Sequence, residues 1–210
     1  SARALALLGA AAAAIGEWCG GERDGGTTAA AAARIRARAN GEPEPSASAD
    51  DALALLRRDM LAGPFSDILS YLRRVAVVDA RAAVRDDAAL TLQRALLGGD
   101  AVGAPPEYWA RCFAPDGVLT GMLGEMCERF KSMPARSEAR AAFERTAHLA
   151  VSCVAKTFLA REVAATAAAT SPAEFAASWF ALLDALRLMS EAATCEELRE
   201  AVPEAAKNML

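Results

Sequence analysis

Residues 171–189 read SPAEFAASWFALLDALRLM, and this stretch decides the fold class. Ser171 is followed at once by a proline and three residues later by Glu174. This is the capping box that begins a helix, with proline at the first helical position. Apolar residues then recur at spacings of three and four, which is the period of an amphipathic helix. The segment therefore predicts a helix that buries Phe175, Trp179, Leu182, Leu186 and Met189.

The same periodicity recurs along most of the chain from residue 51 onward. Asp50 is placed to cap a helix that runs to about Ala62, where Gly63-Pro64 is expected to stop it. Farther on, Thr194-Cys195-Glu196-Glu197 reads as a second capping box, opening a final helix that Pro203 kinks or divides. Between these ends, apolar stripes predict five more helices, which carry Phe65, Ile68, Leu69 and Leu72; Val84, Ala88, Leu92, Ala95 and Leu96; Tyr108, Trp109, Cys112 and Phe113; Leu119, Met122, Leu123, Met126, Phe130 and Met133; and Phe143, Ala147, Val151, Val154 and Phe158.

Composition agrees with a helical chain. Of the 210 residues, 54% are hydrophobic and 24% are charged, and the strong helix formers alanine, leucine, arginine and glutamate dominate. The net charge is −4 and the pI is near 5.2, so the basic patch typical of nucleic-acid binding proteins is not indicated. We therefore expect no nucleic-acid partner.

Three regions are distinguished by their patterning. Residues 1–19 are expected to form one helix of an upstream repeat, because the apolar run Ala4–Ile15 is too short and too rich in alanine to span a membrane. Residues 20–50 carry glycine pairs and the turn-rich stretch Asn40–Ser46, which predicts a flexible low-complexity insertion. Residues 51–210 are expected to form a helical-repeat domain, as a fragment of a longer protein.

Successive amphipathic helices with short connections pack as antiparallel pairs, and a series of such pairs forms an α-solenoid. No strict repeat period is visible, which argues against a regular 34-residue repeat. The predicted fold is therefore an all-α, irregular α-solenoid of antiparallel helix pairs. We favour an armadillo- or HEAT-like stack, with a TPR-like stack as the alternative.

Motifs for catalysis are not found. His148 is the one histidine and has no nucleophile or orienting acid in a recognisable motif. The adjacent acids Asp86-Asp87 and Glu196-Glu197 point about 100° apart on a helix, so neither pair forms a two-carboxylate site. Phosphate-binding glycine motifs are absent from the sequence. We therefore expect no catalytic, cofactor-binding or metal-binding residues, no cofactor and no enzymatic activity.

Other chemically notable residues have structural interpretations. The five cysteines are widely spaced and are expected to be buried free thiols in a reducing compartment. Met122, Met126 and Met133 are expected to be core filler rather than a ligand groove. Acids interleave with the arginines, so a solvated helix face is favoured over a membrane-binding basic surface at Arg73, Arg74, Arg81, Arg85 and Arg94.

Short residue combinations, recurring in a fixed order, carry a resemblance to a known family: Val84-Arg85, Ala89-Leu90, Leu92-Gln93-Arg94, Trp109, Cys112-Phe113, Val118-Leu119, Lys156, Phe158, Leu159, Phe175, Trp179, Leu182-Leu183-Asp184, Ala201-Val202-Pro203-Glu204 and Lys207-Asn208-Met209-Leu210. On these residues, Leu72–Leu210 resembles the C-terminal helical region of the large ARF guanine-nucleotide exchange factors, in the subgroup of the Golgi brefeldin A-resistant factor and its plant relative GNOM. The chain departs from that family at Thr120-Gly121, where an aromatic or apolar residue followed by proline is usual.

The resemblance implies a non-catalytic role, because exchange in that family is carried out by a separate domain. It implies a segment that supports membrane recruitment, regulation or partner binding in Golgi vesicle-mediated transport. The implied partners are proteins, an ARF-family GTPase in the context of the parent chain, and a second copy, with peripheral membrane contact. The implied location is cytoplasmic, on Golgi or early secretory membranes.

The matching positions are packing residues, so Trp109, Phe113, Phe175 and Trp179 are expected in the core. An unrelated α-solenoid that binds protein partners is the alternative function.

Overall fold

The computed structural model describes residues 2–19, 49–98, 106–161 and 171–209, which form eight α-helices and no strand. The predicted all-α class is confirmed. Residues 20–48 of the predicted flexible insertion lie outside the described residues. Its last two residues, 49 and 50, belong to a helix. The helices are α1 (Ala2–Cys19), α2 (Ala49–Val78), α3 (Ala82–Leu97), α4 (Pro106–Phe113), α5 (Val118–Lys131), α6 (Glu138–Ala160), α7 (Pro172–Ala192) and α8 (Glu196–Met209).

Six of these helices form two rows. One row is α2, α5 and α7, and the other is α3, α6 and α8, with each helix in contact with the next in its row. The helices α2/α3, α5/α6 and α7/α8 are consecutive in sequence and pack against each other across the rows. Short α4 packs against α5 and α7, and α1 packs against α2 and α3. The irregular α-solenoid of helix pairs is therefore confirmed.

The spacing between neighbouring helices of a row explains why the sequence shows no strict period. Contacts between α2 and α5 join residues 52 apart, and one between α5 and α7 joins residues 58 apart. A contact between α3 and α6 joins residues 60 apart, and Arg161, directly after α6, contacts α3 across 65 residues. In the pairs α2/α5 and α3/α6, a residue farther along one helix contacts a residue farther along the other. Neighbouring helices in a row therefore run parallel. The repeating unit is longer than 34 residues and varies in length.

The core lies between the two rows and uses the predicted stripes. On α5 and α6 the apolar positions at spacings of three and four are buried. Met122 and Met126 of α5 belong to this core, as expected, and Met133, two residues after the end of α5, packs at its edge. Burial of one such large side chain stabilises the fold by about 2 kcal/mol. The fully buried members include Leu119, Met122, Leu123, Met126, Phe143, Ala147 and Val154.

The predicted helix end at Gly63-Pro64 is wrong. The helix α2 continues through Pro64 as far as Val78. A proline inside a helix removes one backbone hydrogen bond and costs about 3 kcal/mol. Here its ring is exposed to solvent, and the turns that follow bury Phe65, Leu69 and Leu72 completely. Packing of this face offsets the cost of the proline.

Pro203 does not divide the last helix either. The helix α8 is continuous from Glu196 to Met209, and Pro203 lies on its exposed side. Its neighbours Val202 and Ala205 are buried against the core. The packing of this amphipathic helix therefore tolerates the missing backbone donor.

Two of the four expected core aromatics are only partly buried. Trp109 and Phe113 are buried, whereas Phe175 and Trp179 are half-buried at the edge of the core. The helix α7 has 21 residues and its row neighbour α5 has 14, so α5 does not cover the first turns of α7. Trp179 still stacks 5.2 Å from Phe158, measured between ring centroids.

The N-terminal apolar run is a helix that packs on the rest of the fold. Leu5 and Ala12 of α1 are buried. None of the helices in the described ranges is long and apolar enough to cross a membrane.

Candidate interaction surface

The residues first considered for catalysis lie on three different helices, α3, α6 and α8. His148 is exposed on α6, and Glu196 and Glu197 are exposed on the first turn of α8. Asp86 accepts a hydrogen bond from the Thr146 hydroxyl and so helps to join α3 to α6. Across the described ranges, no group of three histidine, cysteine or acidic side chains is arranged to hold a metal ion.

The described cysteines have the character of core thiols. Cys112, Cys127 and Cys153 are buried and free. Burial raises the pKa of Cys112 and Cys153 to about 12 and that of Cys127 to about 11. A thiol with such a pKa is protonated at neutral pH and is a poor nucleophile. Cys195 is half-buried instead, and burial again raises its pKa.

Arg85 is not on a solvated helix face, which corrects the interpretation from sequence. It is only 4% exposed, and its Nη1 donates to the carbonyl oxygens of Asp79 and Ala80 at 3.0 and 3.1 Å. Its guanidinium lies 5.3 Å from the ring centroid of Phe143. Burial and the nearby Arg129 lower the pKa of Arg85. Arg85 therefore closes the turn between α2 and α3 from inside.

Arg73 also departs from the expected solvated face. Its Nη1 donates to the carbonyl oxygens of Asp116 and Gly117 at 3.1 and 2.9 Å, and its Nη2 pairs with Glu125 at 2.8 Å. The side chain reaches these partners by passing over Gly121 of α5. Arg73 thus fastens α2 to the start of α5. Arg74, Arg81 and Arg94 are exposed, as expected.

Arginine–carbonyl contacts recur where other helices end. Arg129 of α5 donates to the carbonyl oxygen of Val77 at 2.7 Å, at the end of α2. Arg161 donates twice to the carbonyl oxygen of Leu96 at the end of α3 and lies 4.5 Å from the centroid of Trp109. The last carbonyls of a helix lack intrahelical partners, and a cation there is favourable. These arginines satisfy those carbonyls and join neighbouring helices.

A buried ion pair on α6 binds the backbone at the ends of α5 and α7 and at the start of α8. Arg140 and Glu144 are one turn apart, with Nε 3.4 Å from Oε1 and Glu144 only 1% exposed. Arg140 donates to the carbonyl of Phe130 at 2.7 Å, at the end of α5, and to that of Ala192, at the end of α7. Its guanidinium also covers the ring of Phe130 at 4.8 Å. The sequence signal was a charged pair within the apolar stripe of α6, but it was not recognised.

The capping box predicted at Thr194 is wrong, because Thr194 is bound by Glu144 of α6. The hydroxyl and the backbone N–H of Thr194 both donate to Oε1 of Glu144 at 2.7 Å, and the Cys195 N–H donates to Oε2 at 2.8 Å. The Thr194 hydroxyl is engaged by Glu144 instead, and α8 begins two residues later. Burial alone would raise the pKa of Glu144, but these hydrogen bonds outweigh it and hold the pKa below its usual range.

A concave groove lies between α2 and α5. It has a volume of about 900 Å³ and is lined by both helices and by Pro115 and Asp116. The α2 wall carries the exposed Arg74 and Val78, and the α5 wall carries the exposed Glu128. Gly124 leaves a dent, because a Cβ atom there would meet nothing within 4 Å. The groove therefore contains apolar, basic and acidic positions from both helices.

Comparisons with known proteins agree with this architecture. Residues 65–210 match the family described as GBF1-like, tetratrico peptide repeat region. The chain is also 34% identical, over 132 residues, to the Golgi-specific brefeldin A-resistance guanine nucleotide exchange factor 1 homolog of Caenorhabditis elegans. That match covers 63% of this chain and 6% of the relative. No solved structure matches the chain. The family description names the tetratricopeptide type of solenoid, which the sequence pattern had ranked second.

Proposed function

We infer the role of this chain from its family, because it belongs to the GBF1-like tetratricopeptide repeat family. We propose that it is a non-catalytic helical segment of a guanine-nucleotide exchange factor for ARF-family GTPases. In this role it supports recruitment to Golgi or early secretory membranes, regulation, and binding of protein partners during vesicle-mediated transport. The family match over residues 65–210 carries the proposal and favours it over an unrelated scaffold.

The chemistry of the described residues supports a scaffold role. The buried charges Arg85, Arg140 and Glu144 are engaged in contacts between helices, and the buried thiols are held protonated. Such groups stabilise the rows instead of facing a substrate. The exposed helix faces and the groove between α2 and α5 are the surfaces left for partners.

The chain spans a small part of its relative, 6% of that protein's length. Exchange activity, membrane location and GTPase binding therefore belong to the proposal for the parent protein. We propose that an ARF-family GTPase is met through the parent chain, and that the repeat segment positions the parent on the cytoplasmic face of the membrane.

Nucleotide exchange tests the non-catalytic part of this proposal. The purified chain is added to an ARF-family GTPase loaded with a fluorescent nucleotide, and a separate exchange domain serves as the positive control. We expect the rate of nucleotide release to equal the spontaneous rate at every concentration of the chain. A rate that rises with the concentration of the chain would refute the non-catalytic assignment.

Membrane association tests the recruitment part. The chain is mixed with vesicles of Golgi-like lipid composition and floated through a density gradient, and a tagged copy is imaged in cells with a Golgi marker. We expect a fraction of the chain to float and the tagged copy to overlap the marker. If the chain stays at the bottom of the gradient and is diffuse in cells, recruitment through this segment is wrong.

A further inference from the structure

Two neighbouring stretches of the second row carry basic residues but no acidic ones. These are residues 88–97 of α3 and residues 145–160 of α6, and their basic residues are Arg94, Arg145 and Lys156. All three are exposed, and none forms a hydrogen bond or an ion pair with any of the described residues. No acid lies three or four positions away from any of them, which is where a surface ion pair on a helix finds its partner. The three charges are therefore available for an intermolecular contact.

The two stretches lie side by side on the outside of the fold. Thr146 of α6 donates to Asp86 of α3 at one end, and Arg161 donates to the carbonyl oxygen of Leu96 at the other end. Since α3 and α6 run parallel, the residues between these contacts form one continuous surface. The buried stripes of both helices face the core between the rows, so the opposite stripes point away from it.

Leucines accompany the cations on these outward stripes. Residues that follow one another at spacings of three and four share one side of a helix. The outward stripe of α6 at this spacing is Arg145, Leu149, Ser152, Lys156 and Leu159. The corresponding stripe of α3 is Leu90, Arg94 and Leu97. Leu159 is 52% exposed and the other leucines are half-buried. We call this surface the α3/α6 face.

The spacing of the charges matches that of a second helix. Arg145 and Lys156 are eleven residues apart, which is about 16 Å along the axis of α6. Eleven residues also make about three helical turns, so a helix lying along the α3/α6 face can present two acids at this separation on one side. Apolar residues on the same side of that helix then contact the leucines.

We propose that the α3/α6 face binds an amphipathic helix of a partner protein, with acidic and leucine-like residues on its contacting side. The inference deepens the partner-binding part of the proposed function and rests on it, because it names the surface and the chemistry of the partner. Charge complementarity supports the choice, since an acidic partner supplies the carboxylates that both stretches lack. The charges are exposed, so binding is weakened by salt.

A partner helix fits this face better than an anionic membrane does. The helix α8 lies beside α6 in the same row, and its exposed residues include Glu197, Glu200 and Glu204. A membrane broad enough to cover the row would meet these acids, whereas a helix is about 10 Å wide and can lie on α3 and α6 alone. Most leucines of the face are half-buried and do not project as the apolar side of a membrane-surface helix does.

Fluorescence anisotropy tests the proposal with synthetic helices. The probe is a labelled alanine-based helix that carries leucines and two glutamates eleven residues apart, and a matched helix has glutamine at both of those positions. We expect the unchanged chain to bind the glutamate helix at least about fivefold more tightly than the glutamine helix. The difference should shrink as the salt concentration is raised.

Charge reversal locates the binding on the chain. The double variant R94E/K156E reverses two cations of the α3/α6 face and is expected to lower the affinity for the glutamate helix by about tenfold or more. The matched control is R74E/K207E, which changes the net charge equally at exposed positions on α2 and α8. We expect its affinity to stay within about twofold of the unchanged chain.

A second pair of variants tests the apolar part of the contact. Leu159→Ser is expected to weaken binding several-fold. Tyr71→Ser is the control and should bind like the unchanged chain, because Tyr71 is 54% exposed but lies on α2 in the first row. Thermal unfolding of every variant checks that it remains folded.

The proposal is overturned if the chain binds neither helix, if it binds both helices equally, or if the two double variants weaken binding alike. Vesicles containing phosphatidylserine supply one more outcome. Binding to these vesicles that R94E/K156E abolishes, without binding of the glutamate helix, would assign the face to a membrane instead. The exchange assay is independent of this face, and flotation that R94E/K156E leaves unchanged supports the proposed function even if the helix does not bind.

Discussion

Arg73 lies directly over Gly121, so closely that a Cβ atom on Gly121 would stand 2.5 Å from Nη2 of the arginine. The arginine crosses from α2 at this point to reach the carbonyls of Asp116 and Gly117. Absence of a side chain at 121 is therefore what allows the two helices to be joined there. Thr120 is buried, and its hydroxyl donates to the carbonyl of Phe113 at 2.9 Å.

Substitution of Gly121 and of Gly124 by alanine should have opposite effects on the free energy of unfolding. Alanine within a helix is favoured over glycine by about 1 kcal/mol, so Gly124→Ala, which meets no neighbour, should stabilise the chain by up to that amount. Gly121→Ala must displace the Arg73 guanidinium from its carbonyl acceptors, and we expect it to be less stable than Gly124→Ala by about 1–2 kcal/mol. Chemical denaturation of both variants measures the difference. Equal stability would show that the Arg73 contacts contribute nothing.

The buried Glu144 predicts a dependence of stability on pH. Its pKa in the folded chain lies below the ordinary value of 4.5, so its contribution to stability is present above that value and is lost as pH falls through the folded pKa. Glu144→Gln keeps the shape but presents an amide donor to the N–H groups of Thr194 and Cys195. We expect a loss of about 2–4 kcal/mol at neutral pH.

The same variant supplies the test of the pH effect. The difference in free energy of unfolding between the unchanged chain and Glu144→Gln should shrink as the pH is lowered from neutral to below 4.5. Glu138→Gln is the control, because Glu138 is exposed at the start of the same helix. A difference that stays constant with pH would contradict the role given to the Glu144 carboxylate.

Phe143 is the ring on which two arginines converge. Arg85 and Arg129 lie 5.3 and 5.4 Å from its centroid, and Phe130 packs edge-on at 5.3 Å. Phe143→Ala should cost about 3–5 kcal/mol, since the ring is fully buried. Phe180→Ala should change stability by less than about 0.5 kcal/mol, since Phe180 is 67% exposed. Thermal unfolding of the two variants measures this contrast, and similar losses would contradict the described packing.

The thiols should differ in their reaction rates with alkylating reagents. Cys112, Cys127 and Cys153 are buried with raised pKa values, so we expect them to react only as the chain unfolds. Half-buried Cys195 should be modified earlier in the folded state. Mass spectrometry of peptides from a time course measures the four rates. Modification of Cys153 as fast as Cys195 would be inconsistent with the core described here.

Local sequence patterns predicted the structure correctly where it depends on contacts between residues close in sequence. The Ser171 hydroxyl accepts from the Glu174 N–H at 3.2 Å, and the Glu174 carboxylate accepts from the Ser171 N–H at 3.2 Å, as the capping box predicts. The amphipathic stripes likewise identified the buried faces of α5 and α6. Each of these features depends on contacts within one helix or on one repeated period.

Local patterns failed where a distant residue competes with a near one. Thr194 has the spacing of a capping box, but Glu144, 50 residues away, takes the hydrogen bonds of that helix start. Pro64 has the signature of a helix end, but packing of the following turns outweighs it. Arg85 looks like part of a polar face, and only the fold shows the carbonyls that it satisfies. No spacing within the sequence encodes these partners.

In the arginine–carbonyl contacts, the donor depends on the amino-acid sequence far more than the acceptor does. Each acceptor at Val77, Leu96 or Gly117 is a backbone oxygen, which almost any residue at that position would supply. The donor is a long side chain with a planar cation, and lysine does not reproduce its forked geometry. Substitutions at the helix ends therefore leave these contacts intact, whereas substitution of one of the few arginines removes a contact between neighbouring helices.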